Sequence, residues 1–117
     1  MNKTREDRKA ALIKLLLDQD ALDADRDDAA MDLGDEFDDE PVLNALIQVG
    51  KNPSEIDMIL SSCGESIGEI WVKRSFFDEK VYRILAGTAR YGVYIIVASR
   101  KPEWIERYHL EEDKFYE

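Results

Sequence analysis

The sequence predicts an all-α domain, a short stack of helical hairpins with about six to seven helices. Three observations carry that expectation. Apolar residues recur at i, i+3, i+4 and i+7 through much of the chain. Helix-start residues (Thr4, Asp39, Asn52, Asp78) and helix-stop residues (Gly34, Gly50, Gly87) punctuate it. A weak internal repeat is also present. AMDLGD, Ala30 to Asp35, resembles GESIGE, Gly64 to Glu69, and VLNAL, Val42 to Leu46, resembles VYRIL, Val81 to Leu85. Repeats of this order mark stacked helical hairpins. The 117 residues fit one domain, 1–117, with a tail expected to fray over 109–117.

The elements follow in order. Thr4 is a good N-cap, and Glu6 and Asp7 place anions in the first turn, where the helix dipole favours them. Leu12, Leu15, Leu16 and Leu22 keep helical spacing behind it. A second, short helix is expected from about Asp25 to Leu33, with Gly34 as a left-handed C′ residue and DEFDDE as a loop. Asp39 then caps and Pro41 suits the first turn of a third helix that ends at Gly50. Asn52, Pro53 and Glu55 form the next start signal. Behind it Ile56, Ile59, Leu60, Cys63, Ile67, Ile70 and Trp71 give the best-patterned helix in the chain. That helix runs through Gly64 and Gly68, each costing roughly 1 kcal/mol against alanine. Two such costs one turn apart point to close backbone approach by a neighbour. Asp78 opens a further helix, with Val81, Tyr82, Ile84, Leu85 and Ala86 expected inside and Gly87 after it. The β-branched run Val93 to Val97 has strand character, but a lone strand finds no partner here, so Thr88 to Lys101 reads as a buried helix ended before Pro102. One more turn is expected around Trp104.

Charge is the most unusual feature. The net charge is −10, and the stretch from Asp18 to Glu40 holds twelve acids and one base, Arg26. The remaining residues, fourteen acids and fifteen bases, nearly balance. A protein this acidic repels polyanions, so neither direct nucleic-acid binding nor an anionic membrane surface is expected. Basic proteins fit it. The cluster either serves solubility or forms a binding face. Phe37, set among five acids, either anchors its loop on the core or supplies an aromatic anchor inside an acidic rim.

Catalytic and metal chemistry find little support. Asp23, Asp25 and Asp27 match the first ligands of a calcium loop, but Asp28 stands where glycine is needed and Gly34 where the closing glutamate is needed. His109 is the single histidine and lies in the expected tail. Cys63 is the single cysteine, on an apolar helix face, which suits a buried small hydrophobe and a reducing compartment. No metal or cofactor is expected. MNKTREDRKA lacks the apolar core of a secretion signal, and no apolar run is long enough to span a bilayer, so cytoplasm is the expected location.

RDDAAMDLGDEFDDEPVLNALIQVG, from Arg26 to Gly50, resembles a HEAT-type repeat unit, and SSCGESIGEIW, from Ser61 to Trp71, resembles the first helix of a following unit. The second unit departs from the pattern by carrying VKRSFF in place of an acidic loop. The resemblance implies a HEAT-like α-solenoid fragment. In size, charge and the CGESIGEIW string the chain also resembles bacterial immunity proteins, including those of contact-dependent growth inhibition systems. That resemblance implies a non-catalytic inhibitor that binds and neutralises a basic cognate toxin, often a nuclease. A helical-repeat adaptor that binds a protein or peptide is the alternative. The expected partner-binding residues are Asp23, Asp25, Asp27, Asp28 and Asp32 on the second helix, with Asp35, Glu36, Phe37, Asp38 and Asp39 in the loop.

Overall fold

A computed structural model describes residues 4–110. Those residues form seven helices and no strand: α1 (Arg5–Leu17), α2 (Asp23–Glu36), α3 (Glu40–Gly50), α4 (Asp57–Arg74), α5 (Glu79–Ile84), α6 (Gly87–Arg100) and α7 (Glu103–Arg107). The expected all-α class and helix number are what the chain adopts. Helices α2, α4 and α6 lie side by side as one layer, with α4 in the middle. Helix α1 packs on α2 and α3, and α3 packs on α4. The result is an elongated body, 49 × 29 × 20 Å.

Small residues let the α2–α4–α6 layer close. A Cβ at Gly64 would sit 2.0 Å from the Ala89 carbonyl oxygen, and one at Gly92 would sit 2.8 Å from the Ser61 carbonyl oxygen. A Cβ at Gly68 would press on Ile96 at 3.0 Å, and one at Gly34 on Ser66 Oγ at 2.2 Å. Gly34 and Gly68 are equivalent positions of the sequence repeat, and each faces the next helix of the layer. The expectation that Gly64 and Gly68 serve close approach therefore holds.

Several boundaries differ from the sequence reading, each for a physical reason. Thr4 caps α1 as expected, in a reciprocal box with Asp7. Helix α2 starts earlier and runs through Gly34 to Glu36, and no glycine among the described residues has positive φ. Its final carbonyls need no left-handed turn because basic side chains from other helices take them. Lys73 Nζ donates to the Gly34 and Asp35 carbonyls at 2.6 and 3.3 Å, and Arg5 donates to that of Glu36. Asp35 and Glu36 are consequently helical, and the connection to α3 is only Phe37–Asp39.

Asn52 and Pro53 do not start α4. The Asn52 side chain accepts from the Ser54 amide at 3.0 Å in a local turn, and the helix begins at Asp57. Glu55 turns inward to Arg26 instead of closing a capping box. Asp78 caps α5 as expected, by accepting from the Val81 amide. In this short helix Tyr82 is buried while Ile84 points outward. The β-branched run of 93–97 is helical, with Val93 and Val97 buried one turn apart. At the far end Phe77 gathers Trp71, Tyr82, Trp104 and Tyr108 at ring distances of 4.6–5.6 Å. Leu110, within the expected tail, is fully buried; 111–117 lie outside the described residues.

Candidate functional site

The acidic stretch divides into three groups once folded. Asp23, Asp25, Asp28, Asp35 and Asp38 are exposed, and among the described residues their carboxylates form no hydrogen bond or ion pair, although Asp23 lies within the field of Arg26. Asp27, Asp32, Glu36 and Asp39 are half-buried and engaged inside the molecule. The Ser62 hydroxyl donates to Asp27 at 2.5 Å. Arg8 bridges Glu36 at 2.5 Å and Asp32 at 3.4 Å, and Lys9 reaches Asp39. Hydrogen bonds from Arg8 hold the Glu36 carboxyl below the usual carboxylate range. Those to Asp39 and Glu6 raise the Lys9 ammonium.

Phe37 forms the third group. It is buried among core residues, and the Arg5 guanidinium covers its ring at 4.4 Å. As an aromatic anchor for a partner it is therefore corrected: the three-residue link between α2 and α3 is too short to lift the ring out of the core. Its sequence neighbours are acidic because they face water, whereas the ring takes the single inward position of the link.

Helical phase places two of the exposed aspartates in a row. On α2, Asp28, Met31 and Asp35 recur at i, i+3 and i+7, and Met31 is 42% exposed. Beside this row lies a cleft of about 160 Å³ between α2, α4 and α6, lined by Met31, Asp35, Ser62, Glu65, Ser66, Glu69 and Ile96. Ser66 spends its hydroxyl on the Ala30 carbonyl at 2.6 Å, which leaves the cleft's open polar groups acidic. Glu65 has no donor or cation among the described residues. Burial raises its pKa, and the nearby charges of Asp27 and Glu69 add to the shift. Its neighbour Glu69 pairs with Arg100 at 3.1 Å.

The sequence reading missed Met31, Glu65, Glu69 and Ile96. A signal for them existed. In the internal repeat Met31 aligns with Glu65 and Asp35 with Glu69. Stacking equivalent helices sets equivalent faces side by side, so the acidic face of α2 continues onto α4.

A larger groove of about 500 Å³ runs along α1, lined by Thr4, Arg5, Arg8, Ala11, Leu12, Leu15 and Glu36. Its two arginines are committed to Glu36 and Phe37, so it offers an apolar surface more than a charged one. Cys63 is buried, and burial pushes its thiol up to about 12, the inert end of thiol behaviour. His109 is exposed. Among the described residues no three His, Cys, Asp or Glu side chains are grouped to hold a metal ion, and no helix is long and apolar enough to cross a membrane. Compared with protein-family models, with curated proteins and with solved structures, the chain finds no match.

Proposed function

We propose that this chain is a non-catalytic binding protein that engages a basic protein partner through the exposed acidic face of α2. On its resemblance to small immunity proteins, the partner is a cognate toxin such as a nuclease, met in the cytoplasm. A nuclease presents lysine and arginine to phosphate, and a carboxylate array complements that field, raising association rate and specificity.

One observation carries the reading. The fold gives every half-buried carboxylate among the ten residues singled out a hydrogen-bond donor or a cation, yet leaves the five exposed ones without an ion pair. A surface kept unpaired in this way repels itself and slightly weakens the fold. A cationic partner relieves that repulsion, whereas solubility alone does not require the charges to lie on one helix and its link.

The test is co-purification with the product of a neighbouring toxin gene, together with protection of cells from that toxin. Binding should weaken steeply with added salt. Replacing Asp23, Asp25, Asp28 and Asp38 by lysine should abolish both binding and protection, and retention of both would overturn the reading. A peptide-binding adaptor is the second reading, favoured by the apolar α1 groove. It predicts affinity that depends weakly on salt and strongly on Ala11, Leu12 and Leu15.

A further inference from the structure

We propose that the cleft between α2, α4 and α6 receives one lysine or arginine side chain from the basic partner, with its aliphatic stem between Met31 and Ile96 and its cationic head among Asp35, Glu65 and Glu69. This rests on the acidic-face reading and adds the anchor point to it.

Size argues for a side chain. Small-molecule pockets run to roughly 300–1,000 Å³. The cleft is about 160 Å³, well below that range. Its chemistry is divided along its length. Met31 of α2 and Ile96 of α6 supply apolar lining, while Asp35, Glu65 and Glu69 supply carboxylates from α2 and α4. An apolar stem ending in a cation matches that division, because lysine and arginine bury their methylenes while the charged head stays at the polar rim. A purely apolar anchor would strip water from three carboxylates with nothing in return, and an anion would be repelled. A bare inorganic cation would leave the Met31 and Ile96 walls unused.

Charge complementarity is local as well as overall. Glu65 is half-buried within the fields of Asp27 and Glu69, while Arg100 is spent on Glu69 and Lys73 on the Gly34 and Asp35 carbonyls. An incoming cation beside Glu65 supplies the missing counter-charge. The neighbouring surface suits a protein that carries such a side chain. Tyr91 and Ile95, one turn apart on the helix that provides Ile96, are both exposed, and the free Asp28 lies one turn from Met31. A basic side chain in the cleft would be flanked by Ile96 on α6 and by acids on α2. Central anchors framed in this way are how protein interfaces concentrate their affinity.

The experiment is an NMR titration of the full chain, ¹⁵N-labelled and carrying ¹³C-methyl methionine, with a hexa-arginine or hexa-lysine peptide as probe and hexa-glutamate as control. The expected result is saturable movement of the Met31 methyl together with the Glu65, Ser66 and Glu69 amides, for the basic peptides alone. The Glu65→Gln, Glu69→Gln double variant should weaken binding about fivefold or more. Met31→Lys, at an exposed position that spares the fold, fills the cleft in cis and should abolish the Glu65 and Glu69 movements. Shifts confined to Asp23, Asp25, Asp28 and Asp38, with Met31 and Glu65 still, would overturn the cleft while the acidic face stood. Absence of saturable binding by any basic peptide would overturn both.

Discussion

Arg26 and Glu55 form a bidentate ion pair inside the molecule, at 3.0 and 2.7 Å, with their side chains only 2% and 5% exposed. Arg26 Nε also donates to the Leu16 carbonyl at 3.0 Å, so one side chain ties the end of α1, the start of α2 and the α3–α4 connection together. The lone base of the acidic stretch is thus a structural rivet. Removing one partner leaves a buried charge uncompensated. Arg26→Ala should therefore cost about 3–5 kcal/mol in chemical denaturation. Replacing both partners, as Arg26→Met with Glu55→Leu, should recover most of that loss.

The same pair sets a pH dependence. Hydrogen bonds from Arg26 hold the Glu55 carboxyl below its ordinary value, so the folded protein binds fewer protons there than the unfolded chain. Its stabilisation is full above the unfolded carboxylate value, about 4.3, and is lost as pH falls through the lower folded value. Stability measured in urea from pH 6 down to pH 2 should drop more steeply for the parent than for Glu55→Gln. Equal slopes would show that the pair does not govern acid unfolding.

At Gly64 the neighbour is backbone, and backbone cannot yield as a side chain does. Alanine there gains roughly 1 kcal/mol of helix propensity. The new Cβ meets the Ala89 carbonyl oxygen at 2.0 Å, so α4 and α6 must separate. Gly64→Ala should therefore lower stability by about 2 kcal/mol or more. Gly50 provides the contrast, because its added Cβ first meets the flexible end of Leu85 at 3.3 Å. Gly50→Ala should be close to neutral, and thermal melts of the two variants separate the cases.

Much of this fold was legible because helix signals are local. Thr4 with Asp7, Asp78 with Val81, and the spacing from Ile59 to Trp71 each act within a turn or two, and each appears as read. Gly64 and Gly68 were legible as close-approach sites because their propensity cost demanded a reason. What stayed hidden depends on partners far along the chain. Gly34 looked like a terminator because Lys73, 39 residues away, was invisible as the donor to its carbonyl. Glu55 looked like a capping residue because nothing local linked it to Arg26. Phe37 was legible only as a choice between a core anchor and a binding anchor, because acids surround it in sequence, and its ring takes the link's inward position. The acidic stretch was readable as a charge, but its division into paired and unpaired carboxylates needed Arg8, Lys9 and Ser62 in place.

Glu65 should reveal a conflict between stability and binding. Its folded pKa lies above the unfolded one, so the folded state takes up the proton more readily and stability rises as pH falls toward the folded value. Near neutral pH the ionised form works against folding. Glu65→Gln should consequently raise the melting temperature at pH 7, by an amount that fades as pH drops and the parent carboxyl becomes neutral. The same variant should weaken binding of a basic peptide. A group retained for packing would give the reverse pattern, with lower stability and unchanged binding.

The two sets of carboxylates on α2 and its link should separate cleanly under substitution. Asp28 and Asp35 form no ion pair among the described residues and lie outside the first turn of α2, so changing them to asparagine removes mainly mutual repulsion. The melting temperature should hold or rise, while affinity for a basic partner falls and its salt dependence flattens. Glu36 and Asp39 instead answer Arg8 and Lys9, and Lys9 is itself buried. Glu36→Gln with Asp39→Asn should lower the melting temperature, most clearly at low salt, and leave basic-peptide affinity nearly unchanged. Equal effects of the two sets on stability would mean that the pairing seen in the fold does not decide which acids are structural. Equal effects on binding would mean that the partner reads net charge and not the exposed row.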